Sequence, residues 1–335
     1  MARIQDVATA ANVSKATVSY VFSPEKSALI SPETRQKVLD AARKLGYKPS
    51  FIGKALSKQR TYNVALVLPA RTAHSMSQHL LRVFHGIVNS AEKSEYTVST
   101  FFGVSRRFIS RAETHRFDGV IVVGLSSDHS ALDQIAALKL PMVVLNREYT
   151  VNEHIGCVRS DLAGWFLSET GRFLNNNCRN ILLLNKGLYA DSGRELAEAL
   201  PMALERVQAA GGKLEYLTMN DDGSLALQLQ EFLQSHKVDA LIVNGSLAGS
   251  YVLSALSILN KVPGRDIKIS GFFRDYNGLM LGFNWQHNSE EIGRQGWMML
   301  ENMISGKAAS YQLLPLVNDH QPKAILDNAQ SGFDV

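Results

Sequence analysis

The sequence predicts a small all-α module at the N-terminus joined to a larger α/β body. Three observations carry this. Within residues 1–58, apolar residues recur at helical spacing and are punctuated by capping and turn residues. From residue 63, short apolar runs alternate with helical stretches, the pattern of βαβ units around a parallel sheet. Charge divides at the same place. Residues 1–62 hold eleven Lys or Arg against four Asp or Glu, a net +7, whereas the whole chain carries +4, which leaves −3 for the rest. A basic module on a mildly acidic body points to a polyanion partner for that end.

Length and composition set outer bounds. A chain of 335 residues with 45% hydrophobic content is too long for one small core and fits two or three domains. No apolar run reaches the roughly 18 residues a membrane-spanning helix needs. The first twenty residues lack the basic start, apolar middle and small-residue cleavage site of a signal peptide. Cys157 and Cys178 have no CxxC spacing, so two reduced thiols and a cytoplasmic location are expected.

The N-terminal elements follow in order. Ile4, Val7, Ala8 and Ala11 form one helical face, and Asn12-Val13-Ser14 breaks it. Asn12 tolerates the left-handed backbone that such a turn requires. Ser14 is a good N-cap, and Ala16, Val18 and Val21 continue the apolar pattern in a second helix. Two short helices joined by about three residues match a helix-turn-helix. A third helix is read in "SPETRQKVLDAARKLG", with Ser31 as N-cap, Pro32 at the first position and Gly46 as the stop. Pro49 ends any continuation, and Ser50 caps a further short helix over roughly 50–58. An isolated helix of that length is marginal in water, so it is expected to need DNA or a second subunit to form.

In the body, the strand runs "NVALVLP", "YTVSTFF", "DGVIVVG", "PMVVLN" and "HIGCVRSD" make one series. "NILLLN", "KLEYLT", "DALIVN" and "DIKISGFF" make a second, so two similar lobes are expected. Ligands of open α/β sheets bind outside the carboxyl ends of the strands. Arg147, Asp161, Arg194, Asn244 and Gln286 stand at such places. No glycine-rich nucleotide loop occurs, and the histidines at 74, 79 and 85 do not share a helix face, so neither a cofactor nor a metal is expected.

The segment "IQDVATAANVSKATVSYVF…ISPETRQKVLDAARKLGYKPSFIGKALS" resembles the DNA-binding headpiece and hinge of the LacI/GalR (lactose-repressor-like) family of bacterial transcriptional regulators. The DVA, VS-x-x-TVS and LGY-x-P elements stand in that family's order over about 60 residues without a gap. The resemblance implies that Lys15, Ala16 and Tyr20 face base edges in the major groove. It implies that Ser14, Thr17 and Ser19 grip phosphates, and that Leu56, with Lys54 in the same hinge, enters the minor groove as a wedge. Two departures stand out. Tyr20 occupies a place where the family commonly has Arg, which implies a different half-site at that base pair. Gly53 weakens the hinge helix by up to about 1 kcal/mol relative to Ala.

The resemblance continues more weakly to about residue 310. It implies two-lobed, periplasmic-binding-protein-like parallel sheets that close on a small molecule, with effector contacts at Asp161, Arg194, Asn244 and Gln286. Where the family often has two acids after the "DIKIS" strand, Phe273 and Arg274 stand, and Gly245 replaces another acid. A cleft with fewer carboxylates, and with Arg274 added, is expected to favour an anionic, carbohydrate-derived ligand such as a sugar phosphate or acid sugar.

The expected organisation is a headpiece over 1–48, a hinge over 49–61 and an effector-binding and dimerisation domain over 62–335. Within the last, lobe one takes about 62–160 plus 289–317, and lobe two about 161–288 plus 318–330. One helix-turn-helix contacts few bases, so a homodimer on a pseudo-palindromic double-stranded operator follows. The expected function is transcriptional repression under control of a small effector, not an enzyme activity. The alternative is a solute-binding protein with the same body fold, which the basic headpiece disfavours.

Overall fold

The computed structural model describes residues 2–23, 26–70, 76–124, 129–186, 191–219, 224–244, 248–272 and 283–318. It divides the chain into two compact units, Met1–Tyr62 and Asn63–Val335.

The first unit holds α1 (Ile4–Ala11), α2 (Lys15–Val21), α3 (Pro32–Lys44) and α4 (Phe51–Lys58). Each begins at a polar cap or an equivalent device. Ser14 Oγ accepts from Thr17 N at 3.0 Å, Ser31 Oγ from Thr34 N at 3.3 Å, and Ser50 Oγ from Gly53 N at 3.3 Å. The Arg3 amide donates to Asp6 Oδ2 at 2.7 Å ahead of α1. Asn12 turns the chain between α1 and α2 with φ of 49°, in the left-handed region. Val7, Ala8, Val18, Val21, Val38, Ala41 and Ala42 are buried together and close a three-helix core. α4 starts at a Ser50 cap.

The second unit alternates strands and helices. Its first series runs β1 (Asn63–Leu68), α5 (Gln78–Ala91), β2 (Thr97–Phe102), α6 (Arg106–Glu113), β3 (Gly119–Val123), α7 (His129–Ala136), β4 (Met142–Leu145) and β5 (Ile155–Ser160). The second runs α8 (Leu162–Asn175), β6 (Asn180–Lys186), α9 (Asp191–Ala209), β7 (Lys213–Met219), α10 (Leu225–Ser235), β8 (Ala240–Asn244), α11 (Ala248–Ile258), β9 (Lys268–Gly271) and β10 (Phe283–Gln286). The chain then returns through α12 (Ser289–Ile304), β11 (Tyr311–Leu314) and β12 (Val317–Asn318).

Two six-stranded sheets result, ordered β11-β5-β4-β3-β1-β2 and β12-β10-β9-β8-β6-β7. All pairs are parallel except β10 with β12. Each sheet is apolar on both faces, because helices cover both. In the first sheet, α5 and α12 cover one face and α6 with α7 the other. In the second, α8 and α9 oppose α10 and α11. The chain passes between sheets after β5, after β10 and between β11 and β12. In the last passage Val317 pairs with Gln286, and Leu316 is buried in the core of the second sheet.

The returning helix fits because glycine faces backbone on both sides. A Cβ at Gly86 would lie 2.1 Å from the Glu290 carbonyl oxygen, and one at Gly293 would lie 2.2 Å from that of Val83. Gly293→Ala is therefore expected to force α12 off α5 and to destabilise the body by about 1–3 kcal/mol, the usual range for overpacking. A lower urea midpoint with unchanged slope checks this, and an unchanged midpoint refutes it.

Candidate nucleic-acid interface and ligand cleft

α2 buries Val18 and Val21 and turns its other side outward. Ser14, Lys15, Ala16 and Ser19 are exposed, and Thr17 and Tyr20 half-exposed. Its first turn is held by a hydroxyl pair, Ser14 Oγ to Thr17 Oγ1 at 2.9 Å. In α4, Leu56 is 80% exposed, a large apolar side chain left without cover within its own unit. The Lys54 side chain lies outside the described residues.

The second surface is the cleft side of the body. Both sheets follow the doubly wound 2-1-3-4-5 order, which reverses between β1 and β3 in one and between β6 and β8 in the other. Ligands of such sheets bind where the order reverses, beyond the carboxyl ends. At that point of the second sheet, Asn185 and Asn244 are paired near the ends of their strands, and Asn244 Nδ2 donates to Asn185 Oδ1 at 2.9 Å. Phe272 follows the end of the neighbouring strand β9 and packs on Trp165 with ring centroids 5.0 Å apart. Asn185 Nδ2, Trp165 Nε1 and Ser270 Oγ are buried and have no hydrogen-bond partner among the described residues. Both strand runs end in Asn in the sequence, a signal that pointed to Asn185 as much as to Asn244 and was read only for the latter.

The other expected cleft residues divide. Arg147 is buried at 2% exposure after β4, and Cys157 Sγ donates to its carbonyl oxygen at 3.1 Å. Burial raises that thiol to about 11. Asp161 serves as the N-cap of α8, its Oδ1 accepting from Gly164 N at 2.8 Å. Gln286 is buried on β10 beside β12. Arg194 falls within α9, its side chain outside the described residues. Arg274 lies outside them altogether.

Sequence reasoning missed two features here. His79, on α5, meets His287, which follows β10, with ring centroids 4.6 Å apart. His287 lies nearly parallel to Phe272 at 4.8 Å. Each Nδ1 has a serine partner: Ser289 Oγ at 2.7 Å from His79, and Ser160 Oγ at 2.8 Å from His287. Burial holds both rings neutral, lowering His79 to about 4 and His287, further disfavoured by His79, to about 3. The second feature is an ion pair between the two lobes. Arg159, on β5, meets Glu195, on α9, at 2.5 Å. The Arg159 Nε also donates to the Tyr311 hydroxyl on β11. Burial pushes Glu195 up to about 7, against the pull of Arg159.

A helix pair of this kind lays its second helix along a duplex groove. Joined in one chain to a body of two doubly wound sheets, it defines a DNA-binding transcriptional regulator. Residues 3–50 match the family described as bacterial regulatory proteins, lacI family. The chain is 24% identical over 278 residues to catabolite control protein A of Staphylococcus epidermidis, covering 80% of this chain and 81% of that protein. Its fold is similar to that of the lac repressor dimer bound to operator and the anti-inducer ONPF, with a TM-score of 0.63, 19% identity, and 95% and 97% of the two chains covered. It is also similar to the transcriptional regulator CelR in its cellobiose complex, with a TM-score of 0.62, 22% identity, and 95% and 98% covered. The match to the lacI family of bacterial regulatory proteins lies in the first compact unit of this chain. Among the described residues, no helix is long and apolar enough to cross a membrane.

The histidine pair sets a pH dependence. An unfolded histidine titrates near 6.5, and the folded pair resists protonation until about pH 4. The unfolded chain therefore binds more protons as pH falls, so stability is full above pH 6.5 and lost between 6.5 and 4. The loss is on the order of 3 kcal/mol for His79 alone. Urea midpoints at pH 7 and pH 4.5 should converge in His79→Gln relative to the unaltered chain. An equally steep drop in that variant would show that other groups carry it.

Proposed function

We propose that the chain is a homodimeric repressor that binds a pseudo-palindromic operator and changes its DNA affinity when a small carbohydrate-derived ligand enters the cleft. The observation that carries this is the capped, outward-facing helix α2, followed in the same unit by α4 with Leu56 exposed. On this reading Lys15, Ala16 and Tyr20 face base edges. Ser14, Thr17 and Ser19 face phosphates. Leu56 and Lys54 enter the minor groove at the operator centre, where an apolar wedge unstacks a base step. Residues 1–48 then form the headpiece, 49–61 the hinge and 62–335 the effector and dimer domain.

The cleft supports the ligand half. Trp165 and Phe272 offer apolar faces, and Asn185, Trp165 and Ser270 offer buried polar atoms in need of partners. A small ring bearing hydroxyls suits both. Arg147, with Arg194 and Arg274 placed by the sequence, tilts the choice toward an acid sugar or sugar phosphate. Asp161 and its cap, Asn244 and Gln286 complete the lining. Ligand and DNA affinity are coupled because the ligand binds one lobe arrangement better than the other.

Selection from genomic fragments with the full chain is expected to enrich one two-fold symmetric site. Leu56→Ala should weaken binding to that site about tenfold or more while leaving the preferred half-site sequence unchanged. A chain that enriches no site, with or without sugar phosphates present, refutes the regulator reading. For the cleft, acid sugars or sugar phosphates should raise the melting temperature in proportion to the logarithm of their concentration. If neutral sugars alone do so, the anionic assignment fails.

A further inference from the structure

Lys26 lies outside α2, yet the structure brings it back over that helix. Ser23 N donates to the Tyr20 carbonyl at 3.0 Å, and Lys26 N to the Ser23 carbonyl at 3.2 Å, so the chain turns tightly where α2 ends. The Lys26 Nζ comes to rest 4.9 Å from the centroid of the Tyr20 ring. The side chain is exposed and has no ion pair with a described carboxylate. Two acids of the unit are engaged elsewhere, Glu33 with Lys37 at 2.8 Å and Asp40 with Arg43 at 3.4 Å.

This placement has a chemical consequence. The ring face attracts the ammonium through its quadrupole and occupies none of its three N–H donors. The outward side of α2 is otherwise thin in cations. Lys15 supplies one, Ala16 none, and Tyr20, one turn beyond Ala16, only a hydroxyl and a ring. A cation fixed over that ring adds a donor at the end of the helix where Tyr20 itself stands.

We propose that Lys26 is a DNA-contacting residue of the recognition surface and that Tyr20 acts on it as a positioning residue, holding its ammonium against the duplex. This rests on the DNA-binding reading above. The ammonium donates to a nucleic-acid oxygen or ring nitrogen, either a phosphate oxygen or the acceptor edge of a guanine. The two differ in what they do to specificity.

The experiment measures affinity of the full-length chain for a duplex of about 30 base pairs bearing its selected site, and for an unrelated duplex, across a series of salt concentrations. Lys26→Ala should weaken binding to the selected duplex about tenfold. It should also flatten the slope of log affinity against log salt by about two for a dimer, close to 0.9 for each phosphate that is no longer neutralised. Lys26→Arg should restore the slope. The second arm is a double-mutant cycle. Lys26→Ala should cost much less in a Tyr20→Leu background, and its full cost should return with Tyr20→Phe, which keeps the ring. A slope that falls equally on both duplexes assigns the contact to phosphate. Relaxed preference at one base pair per half-site assigns it to a guanine edge. Unchanged affinity and slope in Lys26→Ala overturn the proposed DNA contact, and additive losses overturn the positioning role. A failure to select any site is a failure of the operator reading and is visible before variants are compared. The salt slope on the unrelated duplex still reads the Lys26 charge in that case.

Discussion

The body depends on a close approach of backbone to backbone. α12 is made of residues that follow the whole second lobe, yet it packs on α5 of the first. It can do so only because Gly86 and Gly293 leave room for carbonyl oxygens where any side chain would collide. That seat fixes much else. With α12 in place, the chain emerges beside β5 and pairs as β11, with Gln312 opposite Val158. His287 stands two residues before α12, so the same seat presents its ring to His79.

What lies across the cleft is costly to bury and has been accommodated in two different ways. The histidines give up their charge, each keeping one ring nitrogen bonded to a serine. Arg159 and Glu195 keep a partner, and Tyr311 takes a further guanidinium donor. A buried ion pair adds little net stability, but separating it leaves a charge without compensation. It therefore constrains arrangement more than it strengthens the fold. Since β5 belongs to one sheet and α9 to the other, the constraint acts on the relation between lobes.

The parts legible in sequence were those governed by local chemistry. Serine caps, the Asn12 turn, Gly46 and the apolar periods located the four N-terminal helices and the strand–helix alternation, because each is decided within a few residues. The cleft was harder. His79 bonds Ser289, 210 positions away, and nothing near either residue announces the other. The Asp161 carboxylate caps α8, a local role open to any acid that precedes a helix. The two-residue strand β12 has no period to read in the sequence.

On the proposed DNA-binding reading, the cap of α2 lets one group serve both fold and function. Ser14 Oγ accepts from the Thr17 amide, and its hydroxyl also pairs with that of Thr17. Two hydroxyls own two hydrogens. The pair between them consumes one, and the amide bond consumes none, since there the oxygen only accepts. One hydroxyl hydrogen is therefore left, on an exposed turn, able to donate to a phosphate without loosening the helix. Alanine at Ser14 would remove the cap and a candidate DNA donor together, whereas valine at Thr17 would leave the amide cap and Ser14 a hydrogen of its own. The two positions are chemically alike in sequence, and the direction of the amide bond separates the one that caps the helix from the one that does not.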